Sequence, residues 1–113
     1  MLIVKSLNID KFKAFEKFKI DFNESLSVIV GENGTGKTTI LEIIFNMLSG
    51  NTEYFKVDEK FTFVELEFYS DDINYKLKYN NIESIKIILN DNEVNKEDIQ
   101  NRYKIIYLQA EST

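Results

Sequence analysis

The 113-residue chain has no cysteine, no histidine and no proline, a single arginine and four glycines. Without cysteine there is no disulfide, no zinc-thiolate site and no thiol nucleophile. Without histidine the commonest general base and metal ligand is missing, and any Ser-His-Asp arrangement is excluded. No stretch approaches the roughly 18 consecutive apolar residues of a membrane span, and the opening MLIVKSLNIDKFK lacks the basic-then-apolar order of a secretory signal. A soluble cytoplasmic protein with no membrane partner is therefore expected. Positive charge is also scarce, with 14 basic residues against 19 acidic ones and a net charge of -5. Residues 1–50 balance six lysines with six acids, so the whole acidic excess falls in residues 51–113. That is the wrong sign for an isolated nucleic-acid surface, and DNA is not expected to bind this stretch alone. What is present is a 43% apolar chain, enough for one small core and one domain.

Residues Leu2 to Ile9 and Phe15 to Phe22 are rich in β-branched and aromatic residues with partial alternation, and they predict two antiparallel strands around Asp10 to Ala14. After a turn at Asn23-Glu24-Ser25, the short apolar run Leu26 to Val30 predicts a buried central strand. Gly31 to Gly36 holds three glycines in six residues and reads as a loop, and Lys37 to Leu48 reads as a helix capped by Gly50. Further strands are expected at Phe61 to Tyr69, at Ile73 to Tyr79 and at Ile82 to Leu89, with turns at Ser70-Asp71-Asp72 and Asn90-Asp91-Asn92. A short helix at Lys96 to Arg102 and a last apolar strand at Tyr103 to Leu108 complete the expectation.

Gly31-Glu32-Asn33-Gly34-Thr35-Gly36-Lys37-Thr38 satisfies G-x-x-x-x-G-K-[ST] in full, between a predicted strand and a predicted helix. Glycines let the backbone curl so that its N–H groups form a nest for phosphate oxygens at the positive end of the following helix. Lys37 would reach the β- and γ-phosphates, and the Thr38 hydroxyl would complete the coordination of Mg²⁺ bridging them. The expected ligand is a nucleoside triphosphate with its magnesium.

On these residues the chain resembles the ABC-type ATPases of the SMC, RecF and OLD group. Their first lobe runs strand, F-K-x-F, strand, short strand, G-x-N-G-x-G-K-T-T and a helix opening I-L-E. The matching pieces are Phe12-Lys13-Ala14-Phe15, Leu26 to Val30, the loop through Thr38-Thr39, and Ile40-Leu41-Glu42. The likeness is close over residues 1–50, and beyond them the antiparallel strands are similar to that lobe's β-subdomain in topology only. The resemblance implies an α/β P-loop NTPase fold, an ABC-ATPase-like N-terminal lobe with a mixed sheet and an antiparallel β-subdomain. It places Lys13 and Phe15 near adenine and ribose, with Asn33, Gly34, Thr35, Gly36 and Lys37 around the phosphates. Thr38 falls on Mg²⁺ and Thr39 on the α-phosphate. Gln109 ends an apolar run where the family has its Q-loop glutamine, a ligand of Mg²⁺ and of the attacking water. Read from the residues alone, Gln109 is equally a solvated strand end, and Phe12 and Phe15 read first as core and surface positions beside a turn, a reading that the resemblance brings level with the nucleotide one.

Two lookalikes carry nothing. Leu48-Ser49-Gly50 resembles the start of a signature loop but ends the predicted helix, and Asp91 follows the apolar run Ile87 to Leu89 inside a turn composition, with no second acid directly after it. Clamping a nucleotide is only part of transferring a phosphoryl group to water. The chain is therefore expected to be a partial ATP-binding domain over residues 1–113. A second lobe, a homodimer partner and, for the parent protein, DNA would complete it as an ATPase of DNA repair, chromosome maintenance or anti-phage defence. Two other readings stay open, a stand-alone P-loop kinase, disfavoured by the single Arg102, and a non-enzymatic interaction module presenting the aromatic strands from Phe61 to Tyr79.

Overall fold

The computed structural model describes residues 2–13, 15–22, 35–57 and 60–102, with residues 35–38 as backbone. The strands are β1 (Leu2–Phe12), β2 (Phe15–Asp21), β3 (Phe63–Ser70), β4 (Ile73–Asn81), β5 (Ile85–Leu89) and β6 (Asn92–Val94). They form one sheet in the order β2-β1-β3-β4-β5-β6, and every pairing between described strands is antiparallel. Helix α1 (Thr35–Leu48), helix α2 (Thr52–Lys56) and a helix at 96–102, here α3, bury side chains in the same core as one face of that sheet. The chain is thus a mixed α/β fold. The strands that would make the sheet mixed, Leu26 to Val30 and Tyr103 to Leu108, lie outside the described residues. The expected β-subdomain strands are continuous with the β1–β2 pair, because β3 pairs along β1 from Leu2↔Ser70 to Asp10↔Phe63.

Alternation puts Val64, Leu66 and Phe68 of β3, Leu77 and Tyr79 of β4 and Ile87 of β5 in the core. In β1 the alternation is broken twice. The register with β3 shifts between Val4 and Ser6, so the extra residue Lys5 moves the buried set from Val4 to Leu7 and Ile9. Lys11 would then point inward, but its φ of 56° turns the chain so that it is exposed and Phe12 is fully buried. On α1, Ile40, Ile43, Ile44, Met47 and Leu48 supply the buried stripe.

The opposite face of the sheet is polar and paired across strands. Asp10 faces Lys17, Glu65 faces Lys78 and Glu67 faces Lys76. The Asn74 amide donates to Glu67 Oε2 at 3.0 Å, and this bond, helped by Lys5, Lys76 and Lys19, holds the Glu67 carboxyl below its ordinary range. Lys78 lies 4.6 Å over the Phe63 ring and Lys5 4.5 Å over that of Tyr69.

Both predicted turns are present and close hairpins. Asp71 and Asp72 have φ of 53° and 65°, and Asn90 and Asp91 have φ of 49° and 69°, the paired positive values of a two-residue I′ hairpin. Asn90 also receives the Lys76 backbone N–H on its Oδ1 at 2.8 Å. Several strand limits differ from expectation. β1 runs on to Phe12, through the residues read as the start of a turn. β5 begins at Ile85 and not at Ile82, because β4 continues to Asn81, whose N–H donates to the Thr62 carbonyl at 2.9 Å. The turn is consequently pushed onto residues 82–84, leaving Ile82 83% exposed. β3 begins at Phe63, because Phe61 turns into the aromatic cluster instead of the ladder. β6 and α2 were not expected.

Candidate functional site

Helix α1 begins inside the motif, at Thr35, so Gly36, Lys37 and Thr38 occupy its first turn. Fourteen residues of aligned peptide dipoles end there, with N–H groups that have no partner within the helix, and the first turn holds no acidic residue. That donor set suits an anion such as a phosphate group. Thr39 is partly buried in the same helix. Asn33, Gly34, Gln109 and Glu111 lie outside the described residues, as do the side chains of residues 35–38. Among the described residues, no three acidic side chains gather to hold a metal ion.

The far end of α1 is closed by a Schellman turn. The Gly50 N–H donates to the Met47 carbonyl at 3.3 Å and the Asn51 N–H to that of Asn46 at 3.0 Å, with Gly50 at φ 71°. Leu48-Ser49-Gly50 is thus a helix end, as its composition indicated. Asp91 likewise occupies the I′ turn between β5 and β6, where it is exposed.

The second described part of the site is the connection from β1 to β2. Phe12 is core: its ring meets those of Tyr54, Phe55 and Phe61 at 5.7, 5.1 and 5.2 Å. Lys13 follows at φ 54°, with its ammonium 4.6 Å over the Tyr54 ring and 5.8 Å over that of Phe12. Phe15 opens β2, half-buried, its ring 4.8 Å from that of Phe18. Tyr54 in turn donates its hydroxyl to Glu42 Oε2 on α1 at 3.3 Å. Its phenol is pushed above the usual value of 10, first by burial and then by the Glu42 carboxylate. Tyr54 is the residue that sequence reasoning missed. The signals were Glu53 and Lys56, an i,i+3 pair at 2.9 Å bracketing α2, and the helix end at Gly50, which frees the chain to start a new helix.

No helix among the described residues is long and apolar enough to cross a membrane. A family profile described as AAA domain matches residues 6–113. The chain is 48% identical over 52 residues to the Septu protein PtuA of Bacillus thuringiensis, covering 46% of this chain and 13% of that protein. It is 34% identical over 82 residues to the DNA double-strand break repair Rad50 ATPase of Methanocaldococcus jannaschii, covering 67% and 8% of the two chains. To the DNA replication and repair protein RecF of Lachnoclostridium phytofermentans it is 29% identical over 83 residues, covering 67% and 23%. The chain spans 13% or less of the length of the first three relatives it matches. No solved structure matches significantly. On the family match over nearly its whole length, the chain belongs to the AAA domain family, among the SMC-, RecF- and Rad50-like ABC-type ATPases.

Proposed function

We propose that this chain binds MgATP through Gly31 to Thr38 and forms the first lobe of an SMC-, RecF- and Rad50-like ATPase. The supporting observation is α1 itself, a 14-residue helix that starts within the motif and keeps acids out of its first turn. The loop N–H groups and Lys37 hold the β- and γ-phosphates, and the Thr38 hydroxyl would hold a magnesium ion bound to them. Thr39 meets the α-phosphate, while the turn at Lys13 and Phe15 takes the adenine and ribose side. Charge neutralisation on the phosphates is the chemistry that magnesium would supply there. By its resemblance to the family's Q-loop glutamine, Gln109 would act on the metal and the attacking water.

Hydrolysis needs more than this clamp. It requires a second lobe with a signature loop and paired acids and a partner protomer closing over the γ-phosphate, so the lobe alone binds nucleotide without turning it over. The names of the Rad50 and RecF relatives point to DNA repair as the setting, with chromosome maintenance and defence against foreign DNA as the neighbouring possibilities. DNA is the substrate of the parent assembly. The acidic excess of residues 51–113 keeps it off this part.

The test is nucleotide binding by the chain with and without Lys37. Replacing Lys37 by Ala removes a charge-assisted contact and is expected to weaken MgATP binding by about ten- to a hundredfold. Unchanged tight binding by Lys37→Ala overturns the proposal.

A further inference from the structure

Tyr54 sits where three parts of the chain meet. Its ring makes an edge contact with Phe12, the last residue of β1, at 5.7 Å, and carries the Lys13 ammonium at 4.6 Å from its centroid. Its hydroxyl reaches Glu42 on α1, the helix that opens within the phosphate motif. The neighbouring Phe55 is fully buried, 5.2 Å from Tyr54 and 4.7 Å from Tyr79 of β4, so α2 is anchored in the core. The turn that Tyr54 touches is unusual in itself. Lys11 and Lys13 both take left-handed backbone, with φ of 56° and 54°, although neither is glycine. Such conformations persist in L-residues where their surroundings over-determine them. The constraint comes from Phe12 packed on Tyr54, Phe55 and Phe61, from the Thr62 N–H on the Lys11 carbonyl at 3.2 Å, and from the Lys13 ammonium over Tyr54.

From this geometry we infer that Tyr54 is a positioning residue for the nucleotide, clamping the β1–β2 turn, through Phe12 and Lys13, to helix α1, through Glu42. The clamp sets the distance between the base side of the site and its phosphate side. The inference rests on the phosphate-loop reading above and deepens it. A ligand that spans both sides, such as ATP, feels the clamp. One that occupies only the phosphate side, such as inorganic tripolyphosphate, does not.

Calorimetric titration of the chain with MgATP and with magnesium tripolyphosphate tests this directly. Tyr54→Leu is expected to weaken MgATP about three- to tenfold, the scale of a partly exposed cation–π contact, and to leave tripolyphosphate affinity unchanged. Tyr54→Phe keeps the ring under Lys13 but loses the bond to Glu42, so it is expected to weaken MgATP by a smaller factor than Tyr54→Leu, again with tripolyphosphate unchanged. Lys13→Met, at an exposed side chain, should reproduce the Tyr54→Leu pattern. The double variant should be no weaker than either single one, because both remove the same contact. Equal losses for the two ligands would mark Tyr54 as merely structural, and additive losses would make Lys13 an independent contact. Either result overturns the inference, as does an unchanged ATP affinity. Should Tyr54→Leu not fold, Lys13→Met and Tyr54→Phe decide the matter. Binding of both ligands that ignores Lys37→Ala is a separate outcome, and it rejects the phosphate-loop reading itself.

Discussion

Gly50 shows how much a single position does here. Its φ of 71° belongs to the left-handed region, and that conformation aims both N–H groups of the Schellman turn back at the carbonyls of α1. The apolar contact that often accompanies such a turn is replaced by an amide pair, the Asn51 Nδ2 donating to Asn46 Oδ1 at 2.7 Å. Space is a second constraint, since a Cβ on Gly50 would stand 2.7 Å from the Lys96 carbonyl oxygen and 3.0 Å from Cγ of Gln100. A backbone atom cannot swing aside as a side-chain end does. Gly50→Ala therefore combines left-handed strain with a displaced α3, and we expect it to cost about 2–4 kcal/mol. Chemical denaturation measures this as a lower midpoint with an unchanged slope. A variant within about 0.5 kcal/mol of the wild type would show that α3 moves away freely.

At the scale of elements, α3 is held by its first turn and by one buried side chain. Asn95 and Asp98 cap it reciprocally: the Asp98 N–H donates to Asn95 Oδ1 at 2.9 Å, and the Asn95 N–H to Asp98 Oδ2 at 3.2 Å. Ile99 is fully buried in the core just after that turn. Asp98→Ala removes half of the box and should destabilise the chain by about 0.5–2 kcal/mol, with the loss of protection in hydrogen exchange concentrated at 96–102. The helix itself was legible in the sequence over residues 96–102, and so were α1, the β1–β2 pair and both hairpin turns. The helix period of Ile40, Ile43, Ile44 and Met47, and the strict alternation from Ile73 to Tyr79, are local patterns that tertiary packing leaves intact. What escaped was decided by contacts distant in sequence. Five residues of α2 carry too short a pattern to show a period, and the helix exists because Phe55 finds Phe12, Phe61 and Tyr79. The three residues of β6 form a strand only because β5 supplies their ladder. Likewise, the continuity of β3 with β1 depends on which strand edge is open, and alternation within a strand does not carry that information. Of the candidate site, the motif and its helix were legible. The clamp through Tyr54 was not, since it joins residues 12, 13, 42 and 54 across three elements.

At the scale of the whole molecule, a buried hydrogen bond whose chemistry depends on pH joins α1 to the sheet. Tyr79, fully buried on β4, donates its hydroxyl to the Met47 carbonyl at the end of α1 at 2.6 Å. Burial pushes that phenol well above its usual value of 10, and burial together with Glu42 does the same to Tyr54. A raised folded-state value means that the unfolded chain loses its tyrosine protons first. Below about pH 10 both states keep them, and the contribution to stability is complete. As pH climbs through 10 towards the folded values, the unfolded state gains by ionising while the native state cannot, so stability falls. The chain has no histidine, so no imidazole adds a transition near neutrality. The expected outcome is a stability plateau through neutral pH with a decline beginning near pH 10, measured as the denaturation midpoint across pH 7 to 11. Tyr79→Phe should lower the plateau by about 1 kcal/mol, through the lost bond to a carbonyl that still accepts the Gly50 N–H. The same variant should make the alkaline decline shallower, because a group driving it is gone. A decline as steep in Tyr79→Phe as in the wild type would mean that Tyr79 already ionises in the folded chain and that its place between sheet and helix is open to solvent.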